Sequence, residues 1–184
     1  MSCYSQPRLA KGKEHKKYEF GAKAAVAMTK THCIIVGVKS FSCNEYNGDT
    51  LKSALPQVEK IRGNAPQRVL CDRGFRGRKQ VESATIVLPG SPSPKATEYV
   101  KRKARKDFGR RSAIEPVIGH LKSDFRLARN YLKGTLGDAI NLLMAVAAFN
   151  CAKWMKALAQ SLFFVLLALR TIMRRDHEPV TAGA

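Results

Sequence analysis

The sequence predicts a mixed α/β fold in one domain of 184 residues, 45% of them hydrophobic, with basic and apolar helices towards the carboxyl end. Two observations carry this prediction. Apolar residues alternate with a period of two in early segments, which is typical of strands, and recur every three or four residues after position 95, which is typical of helices. The predicted order is strand, strand, helix, strand, short helix, strand, basic helices and long helix. That order is typical of a hairpin followed by a parallel crossover.

The first two predicted strands form the hairpin. Residues 18–28 alternate between apolar and polar side chains, and residues 33–41 are rich in β-branched residues. Residues 29–32 are predicted to form the turn between them. Residues 1–17 are polar and basic, and we expect a lead-in without a strand.

A helix is predicted next, over residues 50–62. Asp49 or Thr50 is its expected N-cap, and Gly63 is expected to end it. Pro56 falls inside the segment and should kink the helix or restart it.

The crossover then continues with short elements. Residues 68–71 are predicted to form a strand, residues 79–84 a short helix and residues 85–88 another strand. The segment 89–94 contains three prolines and is predicted to be a loop.

The charge of the chain indicates a polyanionic partner. Lysine and arginine number 33 against 14 acids, which gives a formal net charge of +19. The most basic segment is residues 95–133, with twelve cations and four acids. Such an excess favours nucleic acid, whose phosphates need a basic face. A basic protein without a specific partner and a protein bound to anionic membrane are the alternatives.

A long helical stripe follows the basic segment. It is made of residues spaced three or four apart: Ile140, Leu143, Ala147, Cys151, Trp154, Leu158, Leu162, Val165, Leu169 and Ile172. The first half is predicted to cover the sheet, with Trp154 in the core. Apolar residues surround the second half, but the uninterrupted run 162–169 is far shorter than the ~20 residues that span a bilayer. We expect a buried or partner-facing helix and no membrane.

Cysteine usage predicts a cytoplasmic protein. The five cysteines are scattered, odd in number and form no CxxC pair, so they are expected to be reduced. The amino-terminal segment has no apolar run typical of a signal peptide. The expected location is the bacterial cytoplasm, with the nucleoid.

Asp72 is the first candidate site residue. It directly follows the predicted strand 68–71, where open α/β sheets place their ligands. Gly74 permits close approach of the backbone, and Arg73, Arg76 and Arg78 can hold phosphates. A turn aspartate that caps a backbone amide explains the local sequence equally well.

Glu115 is the second candidate. Arg111 lies four residues before it and Lys122 seven after it, so all three fall near one face of a helix. Ser112 and Glu115 also fit a capping box at a helix start, and for Glu115 alone this role is favoured. Together with Asp72, however, the pair has the chemistry of Mg²⁺-dependent phosphoryl transfer, which needs carboxylates beside phosphate-binding cations.

Several motifs resemble a known family. They are CDRGFRG, the pattern F-x2-R-x3-E-x6-K (Phe108, Arg111, Glu115, Lys122), KGKEHKKYEFGAK, GDTLKSAL and the run that begins IEPVIGHLKSDFRLARNYLKG. In this order, over about residues 11–154, they resemble the DDE transposases of bacterial insertion sequences. The resemblance is to the insertion-sequence-five family, with an insertion-sequence-four-like DDE domain. Phe108 replaces the tyrosine usual in the family's Y-x2-R-x3-E-x6-K signature.

The resemblance implies a fold, a chemistry and roles for residues. The fold would be RNase H-like, and the reaction would be strand cleavage by water followed by transfer of a 3′ hydroxyl to target DNA. Asp72 and Glu115 would be the second and third catalytic acids and would hold Mg²⁺ or Mn²⁺. Arg111 and Lys122 would contact transposon-end DNA. Apart from the resemblance, the exposed-looking cations Arg73, Arg76 and Arg126 are further candidates for DNA binding.

The resemblance also implies a first aspartate, on a strand ahead of the hairpin. Residues 1–17 contain no aspartate, and Asp49, the one aspartate before Asp72, falls at the expected helix cap. We therefore expect the carboxy-terminal part of a transposase, with its first strand missing. The expected division is a basic lead-in (1–17), a partial RNase H-like catalytic domain (18–156) and an apolar helix with a polar tail (157–184).

An incomplete acid set predicts weak metal binding and little or no DNA cleavage by the chain alone. The alternative is a non-catalytic basic nucleic-acid-binding protein, such as a regulator that binds the element's ends. A homo-oligomer or a complex with full-length transposase is compatible with both.

Overall fold

A computed structural model describes residues 8–13, 16–20, 22–43, 45–77, 79–90 and 92–175. Within this part the chain forms the strands β1 (Arg8–Lys13), β2 (Lys16–Phe20), β3 (Lys23–Met28), β4 (Ile35–Phe41), β5 (Arg68–Leu70), β6 (Gln80–Val81) and β7 (Ala84–Val87). The helices are α1 (Asn47–Arg62), α2 (Glu98–Ser112), α3 (Ile114–Ser123) and α4 (Gly134–Arg175). The mixed α/β class predicted from the sequence is confirmed.

The amino-terminal segment departs from its prediction. β1 and β2 form an antiparallel hairpin in which Arg8 pairs with Phe20. The expectation that residues 1–17 hold no strand was therefore wrong, because backbone pairing does not require apolar side chains. The single strand expected over 18–28 is instead divided between β2 and β3.

β3 and β4 form the predicted hairpin and pair antiparallel, with Val26 opposite Val38. At the other edge of β4, side chains hydrogen-bond to the strand's backbone. The Gln57 side chain accepts from the Val38 N–H at 2.8 Å. Asn150 of α4 accepts from the Ile35 N–H and donates to the Ile35 carbonyl. These amides satisfy backbone groups that an added strand would otherwise pair.

α1 begins three residues earlier than predicted and packs on β4. Neither expected residue caps it: Tyr46 is the N-cap, and the Thr50 hydroxyl donates to the Asn47 carbonyl inside the helix. The helix continues through the exposed Pro56 and ends, as predicted, at Gly63 in the left-handed region (φ 73°).

Contact between α1 and β4 depends on Gly37. A Cβ at this buried position would lie 2.6 Å from the Val58 Cγ2. Gly37→Ala is therefore expected to lower the free energy of unfolding by about 1 to 3 kcal/mol, because α1 must move away from the sheet. Urea denaturation measures the loss.

Gly119→Ala is the matched control for this substitution. Gly119 lies in α3, and an added Cβ meets nothing within 4 Å. It should leave stability unchanged or raise it by up to about 1 kcal/mol. An equal loss in both variants would contradict the packing argument.

A second sheet has the order β5-β7-β6, with β5 and β7 parallel and β6 and β7 antiparallel. The short helix expected over 79–84 was wrong, since Gln80 and Val81 extend and pair with β7. Glu82 takes a positive φ of 52° in the tight turn between the two strands. The helical turn lies earlier, at Arg73–Phe75.

The buried residues form two hydrophobic clusters. The larger one joins β4, α3 and α4: Ile35, Val38, Val117, Leu121, Leu142, Ala145, Val146 and Phe149. The smaller one joins α1 to the second sheet: Leu51, Leu55, Cys71, Val81, Ala84 and Ile86. Among the described strands, none pairs the β3-β4 hairpin with the second sheet.

α4 covers the hairpin with a different face from the one predicted. Its buried side chains are Leu142, Ala145, Val146 and Phe149. The predicted stripe lies on the exposed side, and Trp154 is 60% exposed rather than buried in the core. Both faces of the first half are apolar, so periodicity alone could not identify the one that packs. α4 is also long and apolar enough to cross a membrane by length and composition, over Gly134–Met173.

Candidate active site

Asp72 lies at the carboxyl end of the second sheet, directly after β5 and Cys71. Its Oδ1 accepts from the Arg73 backbone N–H at 2.6 Å and caps the short helical turn Arg73–Phe75. Its Oδ2 remains available for another partner. The turn role and a site role are therefore compatible for this side chain.

The neighbouring thiol is inert. Burial raises the pKa of the Cys71 thiol to about 11, and the negative charge of Asp72 adds to the shift. Cys71 therefore stays neutral near pH 7 and packs in the smaller hydrophobic cluster.

Glu115 lies in the first turn of α3, close to a break between α2 and α3 at Ala113. Pro116 accounts for the break, because its ring lacks an N–H and crowds the carbonyl four residues earlier. The capping box expected for Ser112 and Glu115 was wrong. Ser112 is the last residue of α2, and its hydroxyl donates to the Phe108 carbonyl at 3.3 Å.

Arg111 bridges the two candidate acids. Its Nη2 lies 2.9 Å from the Asp72 Oδ2, and its Nη1 lies 3.1 Å from the Glu115 Oε1. The Arg111 side chain is 18% exposed, against 55% for Asp72 and 64% for Glu115. One guanidinium thus brings together carboxylates that are 43 residues apart in the sequence, and both keep a solvent-facing side.

Asp107 supports this arrangement, and it was not among the site residues predicted from the sequence. It lies four residues before Arg111 and pairs with Lys30 at 2.7 Å and with Arg68 at 3.3 Å. It thereby ties α2 to the β3-β4 turn and to β5. The i to i+4 spacing from Arg111 was the available signal, since it places both side chains on one face of α2.

The Asp107 pairing predicts a dependence of stability on pH. The Lys30 hydrogen bond and charge, with Arg68, lower the pKa of the Asp107 carboxyl from 3.8. A lowered folded-state pKa contributes stability above the unfolded-state value and loses it as pH falls through the folded value. Wild type should therefore exceed Asp107→Asn in free energy of unfolding at pH 7, and the two should converge below pH 3.8. Urea denaturation from pH 7 to pH 2.5 measures this, and a constant difference would contradict it.

Four exposed cations follow the two acids along the chain. Arg73 and Arg76 lie in the turn that follows Asp72, Lys122 lies on α3 two turns after Glu115, and Arg126 follows α3 with a φ of 57°. Within the part of the chain that the structure describes, none of these four side chains forms an ion pair. Arg78 lies outside the described residues. The cations are therefore available to an anion.

Two other details bear on the site. The space beside Gly74, expected to admit substrate, holds the Asn47 side chain, whose Nδ2 lies 2.6 Å from where a Cβ would be. His120 pairs with Asp124 at 2.7 Å, and the hydrogen bonds from Ser123 and His120 lower the pKa of the Asp124 carboxyl. His120 therefore has a local partner on α3.

A groove of about 200 Å³ opens beside Arg111, between β5, β7 and α2. Its lining combines apolar side chains such as Leu70, Val100 and Phe108 with the cations Arg68 and Lys103. Asp107 also lines the groove and pairs with Arg68 at 3.3 Å, so the lining carries charges of both signs.

Comparison with known proteins decides the family. A family model described as a transposase DDE domain matches residues 3–151, which is more than half of the chain. The chain belongs to that family. No significant match was found among curated proteins or among solved structures. The family implies DNA transposition, a DNA substrate and a divalent metal ion for this transposase-domain chain.

Proposed function

We propose that this chain is a DNA-binding transposase of the insertion-sequence-five family, with Asp72 and Glu115 as its second and third active-site acids. The observation that carries the proposal is the bridge from Arg111 to both carboxylates, at 2.9 and 3.1 Å. The family signature contributes the same arginine and glutamate, and CDRGFRG contributes the aspartate.

The electrostatics support DNA as the substrate. Residues 95–133 include α2 and α3, flank Glu115 and carry twelve cations against four acids, or +8 of the net charge of +19. Arg73, Arg76, Lys122 and Arg126 are exposed next to or beyond the acids, and Arg111 can turn from the carboxylates to a phosphate. In this proposal they hold the DNA backbone while the acids face the scissile phosphate.

The donor chemistry fits a divalent ion incompletely. Carboxylate oxygens suit Mg²⁺ or Mn²⁺, and Mg²⁺ often takes only one or two carboxylates with phosphate oxygens and water. Arg111 pairs with both carboxylates and offsets one of their two negative charges, and no third acid joins them among the described residues. Asp72 and Glu115 would hold the ion, which would supply charge stabilisation at the phosphate. We expect weak binding.

We further propose an RNase H-like domain without its first strand, inactive in strand transfer by itself. The separation of the β3-β4 hairpin from the second sheet, among the described strands, supports this, because a central strand would pair with both and join them. In this proposal the first catalytic aspartate would be carried by that strand.

The test combines purified chain, Mg²⁺ or Mn²⁺ and DNA that carries the element's ends. We expect DNA binding without strand cleavage or joining. Clean strand transfer would contradict the inactive state. Asp72→Ala and Glu115→Ala then separate the transposase from a non-catalytic regulator, in an assay complemented with the missing strand. The transposase proposal expects loss of metal-dependent chemistry in both variants, and a regulator would show little change.

Salt dependence tests the cation assignments. The logarithm of the DNA association constant should fall linearly with the logarithm of salt concentration, and Lys122→Ala should reduce that slope by about 0.9. Fluorescence anisotropy with labelled duplex measures both. Lys60→Ala is the matched control, since Lys60 is an exposed cation at the opposite end of α1, about 20 Å from the end that contacts the Asp72 turn. Equal slope changes in both variants would contradict the assignment of Lys122.

A further inference from the structure

An uncharged apolar stripe runs along the exposed side of α4. Its members follow each other in steps of three or four residues, and all are exposed: Leu136, Ile140, Leu143, Ala147, Cys151, Trp154, Leu158, Leu162, Val165, Leu169 and Ile172. At 3.6 residues per turn they stay within a sector of roughly 100° over about 54 Å of helix. The sector lies opposite the buried side chains Leu142 and Phe149.

Charge avoids this stripe. The charged residues of α4 up to Met173 are Asp138, Lys153, Lys156 and Arg170, and each lies more than about 100° around the helix from the middle of the stripe. In a chain of net charge +19, this is a long surface on which two copies can approach without facing like charges. Steps of three and four residues between exposed apolar side chains are typical of a helix that packs against another helix.

We infer that the stripe joins two copies of this chain, with their α4 helices antiparallel and Trp154 at the two-fold axis. The helix Gly134–Arg175 has its midpoint beside Trp154, so this alignment overlaps the two helices completely. It sets small side chains against large ones, with Ala147 facing Leu162 of the second copy and Cys151 facing Leu158. A parallel alignment would set Ala147 against Ala147 and leave a gap. Antiparallel helices also have opposed dipoles.

The area is sufficient for a specific dimer. A strip ~54 Å long and about 10 Å wide covers roughly 540 Å² on each copy, or about 1,100 Å² in total, close to the lower end for stable interfaces. A membrane span is less well matched. Lys156 and Arg170 enclose 13 residues, about 20 Å of helix, against about 30 Å of hydrocarbon. The inference does not depend on the proposed catalytic role.

The test uses the whole chain, treated with nuclease and held in 0.5 M NaCl so that DNA cannot bridge the copies. Analytical ultracentrifugation should give a dimer, twice the monomer mass of 20.4 kDa. Leu162→Glu should weaken dimerisation by roughly 100-fold, because two unpaired carboxylates would enter the interface. Leu167→Glu is the matched control. Leu167 is 49% exposed but lies on the opposite side of the helix, so the dimer should persist.

Disulfide formation tests the direction of the helices. In the antiparallel dimer, Leu158→Cys should form an intermolecular disulfide with Cys151 under mild oxidation, identified by peptide mapping. In the unchanged chain the two Cys151 residues would be displaced by about 10 Å along the axis and should not crosslink. A Cys151 to Cys151 bond in the unchanged chain would overturn the antiparallel alignment.

Two further outcomes would overturn the inference altogether. One is a monomeric wild-type chain at micromolar concentration. The other is equal damage from Leu162→Glu and Leu167→Glu together with flotation on phosphatidylcholine and phosphatidylglycerol vesicles, which would indicate a helix embedded in lipid on all sides. The single tryptophan provides an independent readout in solution. Trp154 emission should shift to the red on dilution, as the dimer dissociates and the indole meets water.

Discussion

Replacing Arg111 with alanine is expected to raise the affinity of the chain for Mn²⁺ by about 30-fold. Arg111 pairs with Asp72 and Glu115, and a divalent ion must compete with its guanidinium for the same oxygens. A unit charge about 4 Å away changes the energy of a divalent ion by roughly 2 kcal/mol in water and 8 kcal/mol near a protein surface. The lower value applies because both carboxylates are more than half exposed.

Electron paramagnetic resonance of Mn²⁺ measures this affinity without DNA and without activity. Arg110→Ala is the matched control, because Arg110 is the neighbouring residue and its exposed side chain carries the same charge. Asp72→Asn in the Arg111→Ala background should abolish the gain. Arg111→Lys should give less than the full gain, since the ammonium keeps the charge but cannot hold both carboxylates in a fork. Equal affinities in wild type and Arg111→Ala would mean that these acids do not form one ion site.

Leu121→Ala is expected to lower the free energy of unfolding by about 2 to 5 kcal/mol. Leu121 is completely buried, at 0% exposure, and packs with residues of β4 and α4 in the larger hydrophobic cluster. Truncation leaves a cavity that the surrounding helices and strand can fill only in part. Domains of this size are typically stable by about 5 to 15 kcal/mol, so the loss is a large fraction of the total.

Thermal and urea unfolding measure the effect, with Ile61→Ala as the control. Ile61 is 60% exposed near the end of α1, and its truncation should change stability by no more than about 0.5 kcal/mol. Leu121 also anchors α3, which carries Glu115, so DNA binding should weaken at temperatures where the variant begins to unfold. Similar losses in the two variants would show that α3 is not held by this contact.

The local parts of the site could be predicted from the sequence, and the long-range parts could not. Arg111 and Glu115 are four residues apart on adjoining helical turns, so their contact follows from helical spacing. The Arg111 to Asp72 contact joins residues 39 positions apart, and only the tertiary packing of α2 beside β5 brings it about. The capping role of Ser112 failed because α2 extends to that residue and supplies the Phe108 carbonyl as a competing partner.

The distinction between local and long-range contacts also explains which parts of the fold could be predicted. The β3-β4 hairpin and the end of α1 at Gly63 follow from alternation and from glycine conformation. β1 was missed because its residues carry no apolar alternation, and its pairing with β2 is made by the backbone. In α4 the sequence indicated the stripe, but a second apolar face competed for burial. The face that carries Leu142, Val146 and Phe149 is the buried one, because Asn150 lies on the same side of the helix and hydrogen-bonds to the edge of β4.

The division of the core has a consequence for how the site opens. Asp72 follows a strand of the smaller hydrophobic cluster, whereas Glu115 lies on a helix anchored in the larger one. Regions with separate cores tend to exchange their amide hydrogens as separate cooperative units. Opening of the three-stranded sheet alone would then withdraw Asp72 from Arg111 while Glu115 stayed in place. The two acids share a site only while both units are closed. Amide exchange in β5 and β7 therefore measures how often Asp72 separates from Arg111.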